Sequence, residues 1–122
     1  MATIKSFTSV EQSRKLAEIL PIESADMCYI KHSSSDNSTW KFNEDFPPMI
    51  LGDVPINEIT AETLPCWSLA ALLSVLSNEN MLVKTTDGEY YCLAKDVMTK
   101  HYDNSIDACY EMIIKLHELK ML

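Results

Sequence analysis

Cys66 is the residue whose type and surroundings best suit a nucleophile. The run Leu64-Pro65-Cys66-Trp67 opens an apolar stretch over 64–76 that reads as a helix, with Thr63 as its N-cap and Pro65 in its first turn. A thiol at the start of a helix is drawn toward thiolate by the macrodipole. The same residue also fits a plain core position, because cysteine is among the most buried residue types and Trp67 and Leu69 stand beside it. Thiolate chemistry needs an activating neighbour, and no motif ties Cys66 to a histidine, so the core position carries more weight. A second group is His101-Tyr102-Asp103, in a loop between a hairpin and the final helix. His101 beside Asp103 could act as a general base or a metal ligand. The rival reading, a solvated loop that caps the next helix, asks for less. Glu23 and Asp26 could hold a cation or share acid–base work, or cap the turn that follows the first helix. His117 reads as an edge residue of an amphipathic helix.

The remaining patterns exclude more than they suggest. Cys28, Cys66, Cys92 and Cys109 form no CxxC and no close pair, and His32, His101 and His117 are equally scattered. Structural zinc sites show local ligand pairs, so no metal is expected. Gly52 and Gly88 are the only glycines, which rules out a phosphate-cradling loop or a dinucleotide fingerprint. G-x-S-x-G and H-E-x-x-H are both missing. These observations point away from an enzyme and toward no cofactor.

Composition sets the frame. The 122 residues include 18 acidic and 10 basic side chains, for a net charge of −8, and 47% are hydrophobic. One compact domain over 1–122 is expected from the length. The acidic balance argues against nucleic acid as a partner, since such binders carry a basic footprint. No apolar run approaches the ~20 residues that cross a bilayer, so no membrane partner is expected. With no apolar leader in the first residues and no dense cysteine framework, a cytoplasmic protein with four reduced, mostly buried thiols is the expectation.

The elements that must position these residues follow from spacing. Val10, Ser13, Leu16, Ala17 and Leu20 share a helical face over 10–20, opened by a Ser9–Gln12 capping box and closed before Pro21. Residues 27–30 and 40–42 read as short strands that pair across the polar stretch 33–38. Four of the five prolines (Pro47, Pro48, Pro55, Pro65) fall in 46–65, so 43–64 reads as a long extended or irregular loop. Two β-prone runs flank Asp87-Gly88, which predicts an 81–94 hairpin around a two-residue type I′ turn. That register sets Val83 opposite Cys92, Lys84 opposite Tyr91 and Leu82 opposite Leu93. Asn104 caps a last helix over 105–119, with Ile106, Cys109, Met112, Ile113, Leu116 and Leu119 as its buried stripe. The sum is an α+β fold, about three helices packed on an antiparallel sheet that contains the hairpin.

Three segments, SVEQSRKLAEILPIESADMCY, LPCWSLAALLSVL and DNSIDACYEMIIKLHELKML, together resemble a family of small hypothetical proteins of anaerobic gut bacteria and their prophages or other mobile elements. The resemblance implies a cytoplasmic protein and supplies no catalytic residues. The leading expectation for function is a non-enzymatic module that binds another protein or itself, resting on the apolar 66–76 stretch, the partly apolar hairpin and the proline-bearing loop. A small enzyme built on Cys66 or on His101 and Asp103 is the alternative. A third is an acidic mimic of nucleic acid that occupies a basic cleft on a host protein. Charge is concentrated for either binding role: between Phe42 and Val83 stand Glu44, Asp45, Asp53, Glu58, Glu62 and Glu79, with no Lys or Arg. Glu44, Asp45, Asp53, Glu58 and Glu62 are the candidate partner-binding residues.

Overall fold

The computed structural model describes residues 5–32, 41–43, 50–51, 54–55, 61–76 and 80–122. The chain is α+β, with three α-helices and antiparallel strands among the described residues. It falls into two compact units, one of residues 9–67 and one that combines the first eight residues with 68–122. No helix among the described residues is long and apolar enough to cross a membrane.

In the 9–67 unit, α1 (Val10–Ala17) begins at the expected capping box. The Ser9 hydroxyl accepts from the Gln12 N–H at 3.2 Å, and the Gln12 side chain accepts from the Ser9 N–H at 3.0 Å. Two otherwise orphaned donors are satisfied by one tetrapeptide. A final turn with Leu20 N–H on Leu16 carbonyl carries the chain to Pro21, so the helix is shorter than its apolar pattern. A 3-10 turn at Ile22–Ser24 leads into β1 (Met27–His32). The strand pairs on one side with β2 (Lys41–Asn43), the pairing that the two short runs suggested. On its other side lies β5 (Ala61–Cys66), against which α1 packs.

Two expectations change here. The stretch 43–64 contains strands rather than only irregular backbone: β3 (Ile50–Leu51) pairs with β4 (Val54–Pro55), and β5 begins at Ala61. The helix expected over 64–76 starts later. Residues through Cys66 extend β5, because pairing with all six residues of β1 gives that backbone its partners. Pro65, which has no N–H, is tolerated because β5 ends the β2–β1–β5 order among the described residues. Helix α2 (Leu69–Val75) is capped by Ser68, whose hydroxyl accepts from the Ala71 N–H at 3.2 Å, and not by Thr63.

The other unit is built on β6 (Met81–Lys84), β7 (Tyr90–Ala94) and β8 (Val97–Met98), in that spatial order. Helix α3 (Ser105–Glu118) packs on β7 and against α2. Asn104 caps it as expected, its side chain accepting from the Asp107 N–H at 2.8 Å. Its buried stripe is the predicted one up to Leu116, but Leu119 is 54% exposed. The helix closes in a Schellman turn, Met121 N–H to Leu116 carbonyl and Lys120 N–H to His117 carbonyl, with Lys120 at φ 58°. The turn ends the helical rotation before Leu119 reaches the core.

The hairpin exists, but its register is one residue off the expected one. Met81 pairs with Leu93, Leu82 with Cys92, Val83 with Tyr91 and Lys84 with Tyr90. The turn has three residues, Thr86, Asp87 and Gly88, with Gly88 at φ 82° and its N–H on the Thr85 carbonyl. This is the three-residue arrangement with a bulged glycine. The Thr85 hydroxyl reinforces it by accepting from the Glu89 N–H at 3.1 Å. The two-residue turn with both central residues at positive φ is found instead between β7 and β8, at Lys95 (49°) and Asp96 (67°). Lys95 also donates through Nζ to the Met121 carbonyl at 2.7 Å. The N-terminal segment joins this unit through a Phe7–Ser68 bridge and a 3.0 Å ion pair between Lys5 and Asp107.

Candidate functional site

Directly opposed residues of an antiparallel ladder share a face, so the register decides what each side of the β6–β7–β8 sheet presents. Leu82, Cys92 and Thr99 lie on one side. Cys92, Ala94 and Thr99 are buried there, with α3 packed on the central strand. Met81, Leu93 and Met98 form a row across all three strands on the other side, next to Val83 and Tyr91. Met81 is 58% exposed and Met98 55%. An apolar row of this kind at the surface is the pattern of an association face, although single exposed apolar residues are ordinary.

His101 borders this face by a mechanism that local sequence does not reveal. Cys92 and Thr99 are bonded to each other, and Tyr90 pairs with Tyr102, so Lys100 and His101 together oppose the single residue Tyr91. That is a β-bulge, which bends the strand and re-aims its side chains. The imidazole of His101 is stacked on the Tyr91 ring, with centroids 4.8 Å apart and planes 14° from parallel. Asp103, the proposed acidic partner, accepts from the Asn104 side chain at 2.9 Å. His101 and Asp103 are both exposed. The geometry shown for the two is thus an aromatic stack and a cap network.

Cys66 loses the helix N-terminus on which its activation depended. It is the last residue of β5, opposite Met27 and 0% exposed. The Tyr29 hydroxyl is hydrogen-bonded to it. Burial first, then the neighbouring Cys66, pushes the Tyr29 phenol well above its ordinary value. Beside it, the buried Trp67 donates through its indole N–H to the Ser24 hydroxyl at 2.9 Å, and that hydroxyl donates to the Pro21 carbonyl at 2.6 Å. Cys66 is thus part of a packed interior, while Glu23 and Asp26 of the same unit are exposed.

Of the acidic candidates, Glu44, Asp45, Asp53 and Glu58 lie outside the described residues, and Glu62 falls within β5, in register with Lys31. Among the described residues, no three His, Cys, Asp or Glu side chains gather to hold a metal ion. A hollow of about 170 Å³ is lined by Thr99, Lys100, Tyr102, Glu111 and Lys115. Sites for drug-sized ligands run to roughly 300–1,000 Å³, so this one admits only a very small molecule. Its Lys115 already donates to the Met98 carbonyl at 3.2 Å, and its Tyr102 phenol is pushed up by burial and by the charges of Glu111 and Asp107.

The row Met81–Leu93–Met98 was the feature that sequence reasoning missed. Its signal was present, since both hairpin faces read as partly apolar, but the slipped register assigned the wrong partners. Comparisons with protein-family models, curated proteins and solved structures find no match to this chain.

Proposed function

We propose that the protein is a non-enzymatic interaction module, an accessory protein of a mobile element, that self-associates through the outer face of the β6–β7–β8 sheet. The observation that carries this reading is the row Met81–Leu93–Met98, whose two methionines are each more than half exposed. An isologous contact brings the same row from two copies together, so each methionine counts twice. Full burial of a Met side chain is worth roughly 1.5–3 kcal/mol, so half of one is worth about 1 kcal/mol. Four such side chains per dimer contribute about 4 kcal/mol, or roughly a thousandfold in affinity.

Light scattering coupled to size exclusion tests this. The full chain is expected to dimerise with rising concentration, and the double variant Met81→Glu/Met98→Glu to stay monomeric with an unchanged far-UV circular dichroism spectrum. A native chain that remains monomeric across the concentration range overturns the proposal. So does a dimer that the double variant leaves intact.

A further inference from the structure

All four cysteines are buried thiols outside any disulfide, yet they are not equivalent in placement. Cys28 pairs with Pro65 and Cys66 with Met27, one step out of phase, so the strand register sends these two side chains to opposite faces of their sheet. Cys92 and Cys109 are placed together. Cys92 stands on the side of β7 against which α3 packs, and Cys109 lies in the buried stripe of α3, with Ile106, Met112 and Ile113 around it. The two thiols are in hydrogen-bond contact, which draws Cys92 below and pushes Cys109 above the ordinary thiol value. Cys92 is also fixed from its backbone: its N–H donates to the Thr99 hydroxyl at 2.9 Å and its carbonyl accepts from the Thr99 N–H at 3.0 Å.

We propose that Cys92 and Cys109 are a latent cystine, a modification site at which hydrogen peroxide, a small two-electron oxidant, joins the strand β7 to the helix α3. The roles within the pair follow from their hydrogen bond. This contact favours negative charge on Cys92, which makes Cys92 the attacking sulfur, while burial and the same contact hold Cys109 protonated. In the first step the Cys92 sulfur attacks one peroxide oxygen and the O–O bond breaks. The departing hydroxide takes up the Cys92 proton as water, leaving a sulfenic acid. In the second step the Cys109 sulfur attacks the sulfenic sulfur and the S–O bond breaks. The leaving hydroxide takes the Cys109 proton as a second water. Each thiol gives one electron to the peroxide, and a disulfide about 2.05 Å long replaces the thiol contact. Full burial of both sulfurs restricts the reaction to an oxidant small enough to enter, so bulkier disulfides such as oxidised glutathione react far more slowly.

The test exposes the full native chain to hydrogen peroxide, quenches it, and counts free thiols after denaturation alongside intact mass and peptide mapping. The expected result is a fall from four thiols to two, a mass loss of about 2 Da from the two hydrogens removed, a Cys92–Cys109 linked peptide, and reversal by dithiothreitol. A Cys28→Ser/Cys66→Ser variant is expected to lose both remaining thiols in the same way. A Cys109→Ala variant should instead add oxygen at Cys92 with no crosslink. Four thiols surviving prolonged exposure overturns the proposal, and so does oxygen addition without a crosslink in the native chain. A disulfide that involves Cys28 or Cys66 overturns it as well.

Discussion

Replacing Gly88 with alanine isolates the backbone contribution of the β6–β7 turn. A methyl group built at this position meets no atom within 4 Å, so the substitution introduces no clash. What it does introduce is a side chain at φ 82°, in the left-handed region. There an L-residue is roughly 1–2 kcal/mol worse than glycine. Alanine also stiffens the unfolded chain, which returns roughly 0.4–1 kcal/mol. The net expectation is a loss of about 1 kcal/mol, or about 4 °C in Tm for a chain of this size. The companion substitution, Asp87→Ala, separates the two turn geometries. In the observed three-residue turn Asp87 is not at positive φ, so alanine there should change stability by less than about 0.5 kcal/mol. In a two-residue type I′ turn both central residues need positive φ, and both substitutions would be costly. Urea unfolding followed by far-UV circular dichroism at 222 nm, with an unchanged m-value, gives both numbers. Equal losses at positions 87 and 88 would refute the three-residue turn and with it the register of the sheet. A loss well above 2 kcal/mol at Gly88 alone would refute the assignment of the penalty to backbone conformation.

Two further outcomes are expected. Asn104→Ala should destabilise the chain by about 1–2 kcal/mol in the same urea assay, since it removes the α3 cap and the amide that bridges Asp103 and Asp107. A neutral result would mean that α3 is held by its stripe alone. Tyr29 makes the second, read from pH. Its folded-state value is raised by burial above the ordinary 10.0, so its contribution is fully present below pH 10 and is lost as the unfolded chain ionises above it. Unfolding midpoints should therefore fall above pH 10 in the native chain, and Tyr29→Phe should flatten that fall; identical alkaline slopes would contradict the assignment.

What was legible in the sequence was what is decided locally. The capping box at Ser9 and Gln12 and the cap at Asn104 satisfy donors three residues away, so a tetrapeptide specifies each one. The α3 stripe was legible as far as Leu116, because a long amphipathic pattern fixes its own face. Elements decided at a distance were not. Residues 64–66 have a helix-like apolar pattern, but β1, which is more than thirty residues earlier in the chain, recruits them as a strand. That one tertiary pairing moved Cys66 from a helix start to a strand end and removed the physical basis of its reactivity. The hairpin erred for a different reason: a glycine at positive φ serves both turn types, and the Thr85 hydroxyl tips the choice. His101 reached Tyr91 through a bulge, which inserts a residue without any compositional mark.

Because residues 5–8 belong with 68–122, the unit of residues 9–67 is an insertion within the other unit's sequence. During synthesis this imposes an order. Lys5 emerges before Asp107, its ion-pair partner, which follows 102 residues later. At about 5–20 residues per second the wait is roughly 5–20 s. The inserted unit has all of its own residues throughout the last part of that interval and can fold from the ribosome as it emerges. The bridge between Phe7 and Ser68 closes only after it. Residues 5–8, made before the inserted unit, therefore find their partners after it.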